Sequence, residues 1–204
     1  MTVEALLRGL QGGIGIEARP HALIVILVAL GTAAEQVLTF AQQWQRSVPQ
    51  AAFVGVRLKH VARRPDIAAL RRDVAAAAAA HAVQMSQTIL LGAGEAGRLA
   101  LDVVLQGIVP AMGVIGIHIA PLTTPPSIDH AAAMVRLIHH RTGEQVPSGF
   151  LALVEAMRQQ DMDVRTTILP DSAQADLAMT QRAGGTFLAE LVANASHLTL
   201  ATRR

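Results

Sequence analysis

Residues 89–106 read ILLGAGEAGRLALDVVLQ, an apolar run, a glycine-rich turn and the start of an apolar helix. Two kinds of chemistry use such a stretch. Glycines spaced G-x-G-x-x-G let the backbone approach a dinucleotide pyrophosphate at a helix N-terminus. Gly92, Gly94 and Gly97 have that spacing. A G-x-S-x-G elbow instead lifts a nucleophilic serine above the end of a strand. In this chain the serine's place in such an elbow is held by Gly94.

Two features oppose the dinucleotide reading. That turn normally opens the first strand–helix–strand unit, whereas here it follows the third strand-like run. It also needs an acid at the end of the next strand, about twenty residues on, for a ribose hydroxyl. The next apolar run ends Ile117-His118-Ile119-Ala120, with no acid.

The other residues with chemical potential each have a plain structural reading beside the functional one. His139 and His140 close an apolar run, with Glu144 just beyond. Adjacent residues on a strand point to opposite faces, so the three are a poor metal set and no metal is expected. His139 is expected to pack, and His118 to sit in the core or at its rim. Glu95 falls in the first turn of a helix, where the helix dipole favours its charge. Ser148 follows Pro147 and suits a helix cap. Asp171 and Ser172 suit a turn.

These residues need elements to hold them. LIVILVALG at 23–31 is continuous and β-branched, as a strand covered on both faces must be. Val37, Leu38, Phe40, Ala41 and Trp44 then recur at helical spacing up to Val48-Pro49. Strands are expected at 51–57, 86–92, 113–120, 133–140 and 163–170. Helices are expected at 65–84, 97–106, 150–162 and about 176–195, the first opened by Pro65 and Asp66. Its alanine run is expected to pack closely against a neighbour. Residues 1–20 suit either a short helix or an edge strand. Alternating strands and helices imply an α/β fold, a mostly parallel central sheet with helices on both faces. Working residues then sit on loops at the strands' carboxyl ends.

Composition narrows the function. The 204 residues suit one domain, taken as 1–204, and 51% hydrophobic residues can fill its core. Aromatics are 2% and Tyr is absent, so the core must be aliphatic. With no Cys, disulfides and thiol chemistry are excluded. The net charge is only +2, with no dense basic cluster interleaved with aromatics, so nucleic acid is not an expected partner. The longest apolar run, ALIVILVALG at 22–31, falls short of the roughly twenty residues a membrane span needs. Glu4, Glu17 and Pro20 spoil a signal-peptide reading of the same run. No targeting signal is read, and a cytoplasmic location is the default expectation.

Over roughly residues 22–195 the chain resembles the phospholipase/carboxylesterase branch of the α/β-hydrolase superfamily. LLGAGEAGRLALDVVL is similar to that family's L-L-G-F-S-Q-G-G and following helix. VILVALGTAAEQVL resembles its strand into H-G-x-G-G, VRLIHHRTGEQVP its I-H-G-x-x-D-x-x-V-P, and TTILPDSAQAD its Y-P-G-x-G-H. The resemblance implies an α/β-hydrolase fold and an ester-cleaving ancestry.

The departures bear on activity. The resemblance puts Gly94 at the nucleophile, Gly143 at the acid with Glu144 beside it, and Gln174 at the base. Leu30 and Gly31 fall in the altered oxyanion loop, and Glu95 replaces the residue after the serine. Glycine has no oxygen to attack with, and glutamine takes no proton near neutral pH. A nucleophile elbow strains a non-glycine residue by about 1–3 kcal/mol, which glycine relieves once no chemistry is required. The resulting expectation is a non-catalytic relative of carboxylesterases. It would bind a small acyl or apolar ligand, or a protein partner, and need no cofactor. Leu30, Gly31, Glu95, Ala96, His139, His140 and Glu144 are the pocket candidates. An esterase using displaced residues, and a dinucleotide-binding protein, are the alternatives.

Overall fold

Seven consecutive residues of the first strand, ALIVILV, are all buried, which only a strand at the centre of a covered sheet achieves. The computed structural model describes residues 20–29, 34–58, 66–119, 127–141, 148–170 and 176–201. The strands are β1 (Ala22–Val28), β2 (Ala51–Arg57), β3 (Thr88–Ala93), β4 (Gly113–Ile117), β5 (Met134–His140) and β6 (Val164–Leu169). The helices are α1 (Ala34–Ser47), α2 (Ile67–Ala80), α3 (Gly94–Leu105), α4 (Ser148–Arg158) and α5 (Asp176–Ala201). The six strands form one sheet in the order β2-β1-β3-β4-β5-β6, and every neighbouring pair is parallel.

The alternation of side chains along each strand feeds two aliphatic cores. Leu23, Val25, Leu90, Val114, Val135 and Leu137 face α2, α3 and α4. Ile24, Ile26, Ile89, Leu91, Ile115 and Ile138 face α1 and α5. The expected arrangement, a parallel sheet between two helical layers, is the one observed.

Local chemistry sets several boundaries. Asp66 caps α2 by accepting the Ala69 backbone N–H at 2.8 Å. The alanine run of α2 differs from expectation. Leu70, Val74 and Ala78 are its buried stripe, while Ala75, Ala76, Ala79 and Ala80 are exposed. Those exposed alanines contribute helix propensity rather than packing. Helix α3 begins at Gly94, three residues before its apolar periodicity becomes readable, because the turn itself carries the chain from strand to helix.

Helix α5 is held at both ends of the sheet. The Trp44 indole N–H of α1 donates to the Gln181 carbonyl at 2.8 Å. Its ring lies so close to Gly184 that a Cβ there would come within 2.8 Å of it. Toward the amino end of β5, Arg136 is fully buried and meets Asp163 and Glu190 at 2.8 Å each. It also donates to the carbonyls of Val135 and Asp163. Burial alone would lower the Arg136 pKa, but the hydrogen bonds and charges of Asp163 and Glu190 outweigh it and raise the value.

Candidate functional site

The register of the sheet brings the working ends together. Leu27 pairs with Gly92, and Ala93 with Ile117, so the ends of β1, β3 and β4 lie side by side. The helix after β1 lies on one face of the sheet and the helix after β3 on the other. The crevice between β1 and β3 is therefore a topological switch point, where open α/β sheets take ligands.

The glycine turn stands at this crevice. Ala93 is extended (φ −118°, ψ 149°), and Gly94 immediately turns to φ +57° as the first residue of α3. This abrupt strand-to-helix turn has the geometry of a nucleophile elbow. A Cβ at Gly94 would meet nothing within 4 Å, so the apex faces open space. Its flanks are the opposite. A Cβ at Gly92 would lie 2.6 Å from the Ala96 backbone, and one at Gly97 would lie 2.6 Å from the Gly92 oxygen. Gly92 and Gly97 thus bring helix and strand into direct backbone contact. The signal was legible in the spacing, but their steric role emerges only with α3 in place.

A cavity of about 220 Å³ lies beside the elbow, on the α1 and α5 side. Its floor is Ile26, Val28 and Leu91 of the sheet, its rim Ala93 and Ala96. Phe40 and Trp44 of α1, with ring centroids 5.1 Å apart, form an aromatic wall. Thr180 of α5 adds a hydroxyl. Sequence reasoning missed the strand residues Ile26, Leu91 and Ile117 as lining, and also Phe40, Trp44 and Thr180 from the helices. Phe40 and Trp44 were read only as helix-face residues, and nothing local marks a lone threonine 86 positions after Gly94 in the chain as part of the same site.

Three histidines gather at the ends of β4 and β5. His140 and Thr180 are hydrogen-bonded, with Nε2 and Oγ1 2.8 Å apart. His118, exposed and at φ +48°, stacks on His140 with centroids 4.0 Å apart and planes 18° from parallel. His139 points to the other face and stacks on Phe150 of α4 at 4.7 Å. Its ring nitrogens are buried and have no hydrogen-bond partner among the described residues. Burial first, and the neighbouring His140 second, hold the His139 pKa below the usual imidazole value. Among the described residues no three metal-ligating side chains are placed to hold an ion. No described helix is long and apolar enough to cross a membrane.

The sequence-derived candidates are thus divided. Ala96 lines the cavity, Gly94 follows the lining residue Ala93 in the chain, and His140 reaches the cavity through Thr180. Glu95 is exposed in the first turn of α3, and His139 lies on the far face of the sheet. Leu30, Gly31, Gly143, Glu144, Asp171, Ser172 and Gln174 lie outside the described residues, as does residue range 1–19. The Ser148 side chain is likewise outside them.

Solved structures share this architecture. Esterase PE8 matches with a TM-score of 0.69 at 21% identity, covering 84% of this chain and 93% of its own. The fold is that of the α/β-hydrolases. A Bacillus cereus carboxylesterase matches this α/β-hydrolase fold at TM-score 0.64 and 13% identity, covering 85% of this chain and 89% of its own. A Mesorhizobium loti carboxylesterase matches at TM-score 0.59 and 17% identity, covering 82% and 89%. No family model and no curated protein sequence matches the chain.

Proposed function

We propose that this α/β-hydrolase-fold protein binds a small apolar or acyl ligand in the cavity beside its elbow and does not hydrolyse it. One observation carries the reading: the elbow's apex is Gly94, at φ +57°, with open space where a nucleophilic side chain would stand. The turn retains the geometry that presents a nucleophile but supplies no oxygen. The adjoining cavity is lined almost wholly by apolar side chains, as small-molecule sites are. In this reading the residues at the acid and base positions, Gly143 and Gln174, have no triad role to fill, and Glu95 and Glu144 carry no catalytic role. A protein partner seated over the same mouth would use the same surface.

The test is turnover of a panel of p-nitrophenyl esters by the parent protein, Gly94→Ser, Glu95→Ala and a Gly94→Ser/Gly143→Asp/Gln174→His triple variant. The parent and Gly94→Ser are expected to show no turnover above buffer, because a serine without a base stays a weak nucleophile. Weak activity is expected only in the triple variant. Parent turnover would overturn the reading.

One specific observation favours a second reading. The Thr180 hydroxyl and His140 imidazole, 2.8 Å apart at the cavity, are within the distance at which a base activates a nucleophile. A hydrolase with relocated chemistry would acylate Thr180. A mass increase of one acyl group on the parent, lost in Thr180→Val, would favour it.

A further inference from the structure

Among the described lining residues, one side chain offers the cavity a polar group not already committed elsewhere in the fold, and it is built into a buried pair. Among its described lining residues no side chain is charged, and the Trp44 N–H is already committed to the Gln181 carbonyl. What remains is the Thr180 hydroxyl, 6% exposed and bonded to His140 Nε2. His140 is itself buried, and its ring is backed by His118 at 4.0 Å. The pair therefore forms a single oriented hydrogen-bonding point at one side of an apolar chamber.

We propose that the ligand is a small neutral monohydric alcohol, or a molecule with such a head, whose hydroxyl bonds Thr180 while its hydrocarbon body fills the cavity. The proposal rests on the non-hydrolytic binding reading above and names the ligand class for the same site. Three arguments carry it. The first is size. A cavity near 150 Å³ accepts benzene, so about 220 Å³ has room for about eight or nine heavy atoms. The second is charge. A carboxylate or ammonium head would be stripped of water against apolar walls with no charged side chain among the described lining residues, which is costly. The third is hydrogen-bond polarity. If Thr180 donates to His140 Nε2, its lone pairs are left for the ligand; if Nε2–H donates to Thr180, its proton is left. A hydroxyl head both accepts and donates, so it is satisfied in either arrangement, whereas an ether or ketone is satisfied in only one.

The experiment titrates the protein with toluene, benzyl alcohol and benzoate, one aryl body with no head, a neutral head and a charged head. Binding is read from the NMR shifts of the Ile26 and Ile117 methyl groups, whose residues line the cavity. Toluene and benzyl alcohol are expected to shift both methyl groups, and benzoate to bind at least about tenfold more weakly than benzyl alcohol. Thr180→Val is expected to lower the affinity for benzyl alcohol relative to toluene by about threefold to tenfold, the range of one hydrogen bond. Thr180→Ser, which keeps the hydroxyl, is expected to restore the parent ratio. An unchanged ratio in Thr180→Val, or benzoate binding most tightly, would overturn the alcohol proposal while leaving the pocket reading intact. Failure of toluene itself to bind the parent protein would overturn the pocket reading and the proposal together.

Discussion

Strand β5 buries a charged or titratable side chain near each end, and the two are treated in opposite ways. Near the start, the guanidinium of Arg136 has ion-pair partners in Asp163 and Glu190 and two carbonyl acceptors besides. Near the end, the imidazole of His139 is buried with both nitrogens unpartnered among the described residues. At the amino end of the sheet α5 is fastened by the ion pair of Glu190 with Arg136. The carboxyl end carries the left-handed Gly94, the left-handed His118, the orphaned His139 and the cavity. The difference lies in the partners: a guanidinium buried in the sheet is kept with its counter-ions, whereas an imidazole, which can shed its charge, is buried against Phe150.

The sharpest way to break this comparison is to remove the Arg136 partners. An Asp163→Asn/Glu190→Gln variant leaves a fully buried guanidinium with no anion, and is expected to lose about 3–5 kcal/mol in urea unfolding. Arg136→Met should lose less, because Asp163 and Glu190 are partly exposed and Glu190 keeps Arg165 at 3.0 Å. Equal losses would mean that the network acts by packing rather than by charge.

The elbow offers the next test. Gly94→Ala places its Cβ in open space, so only the left-handed backbone resists it, at about 1–2 kcal/mol. Gly92→Ala drives a Cβ to 2.6 Å from the Ala96 backbone, which has no flexible end to move. It is expected to cost clearly more than Gly94→Ala by thermal unfolding. The reverse order would mean that the left-handed backbone at Gly94, and not the close strand–helix contact at Gly92, is the tighter constraint on the turn.

The smallest effects are expected at His139. Leucine is of similar size and leaves no orphaned nitrogen, so His139→Leu is expected to gain about 1 kcal/mol. The pH dependence follows from the depressed pKa. Below the ordinary imidazole value the unfolded chain takes up a proton that the folded His139 resists, so stability falls as pH drops from about 6.5 toward the lowered folded value. His81, also lowered by burial, adds to the same slope. His139→Leu is expected to flatten the fall in part, checked by urea midpoints between pH 7 and 5. An unchanged slope would assign the pH effect elsewhere.

Much of this architecture was legible in the chain. The strand at 51–57 is observed at those residues, and most of the others agree within a few positions, because β-branched runs between helical periodicities have few other ways to be buried. The strand-to-helix turn was legible too: the resemblance sets Gly94 at its apex, and Gly94 stands there at φ +57° as the first residue of α3. What misled was the alanine run, where apolar composition suggested packing but the helix turns most of it to solvent.

The sequence by itself determined that Gly94 brings no side-chain oxygen to the strand-to-helix turn. It also determined the alternation that forces a parallel sheet between helices. Only the tertiary structure decided where the remaining polar groups meet. His139 and His140 are neighbours in the chain, yet strand alternation sends one to Phe150 and the other to Thr180. Phe40, Leu91 and Thr180 are far apart in sequence and share one cavity because the crevice between β1 and β3 opens toward α1 and α5. Local propensity sets the period of each element; which faces meet follows from how the whole sheet is ordered, and that is a long-range property no short window contains.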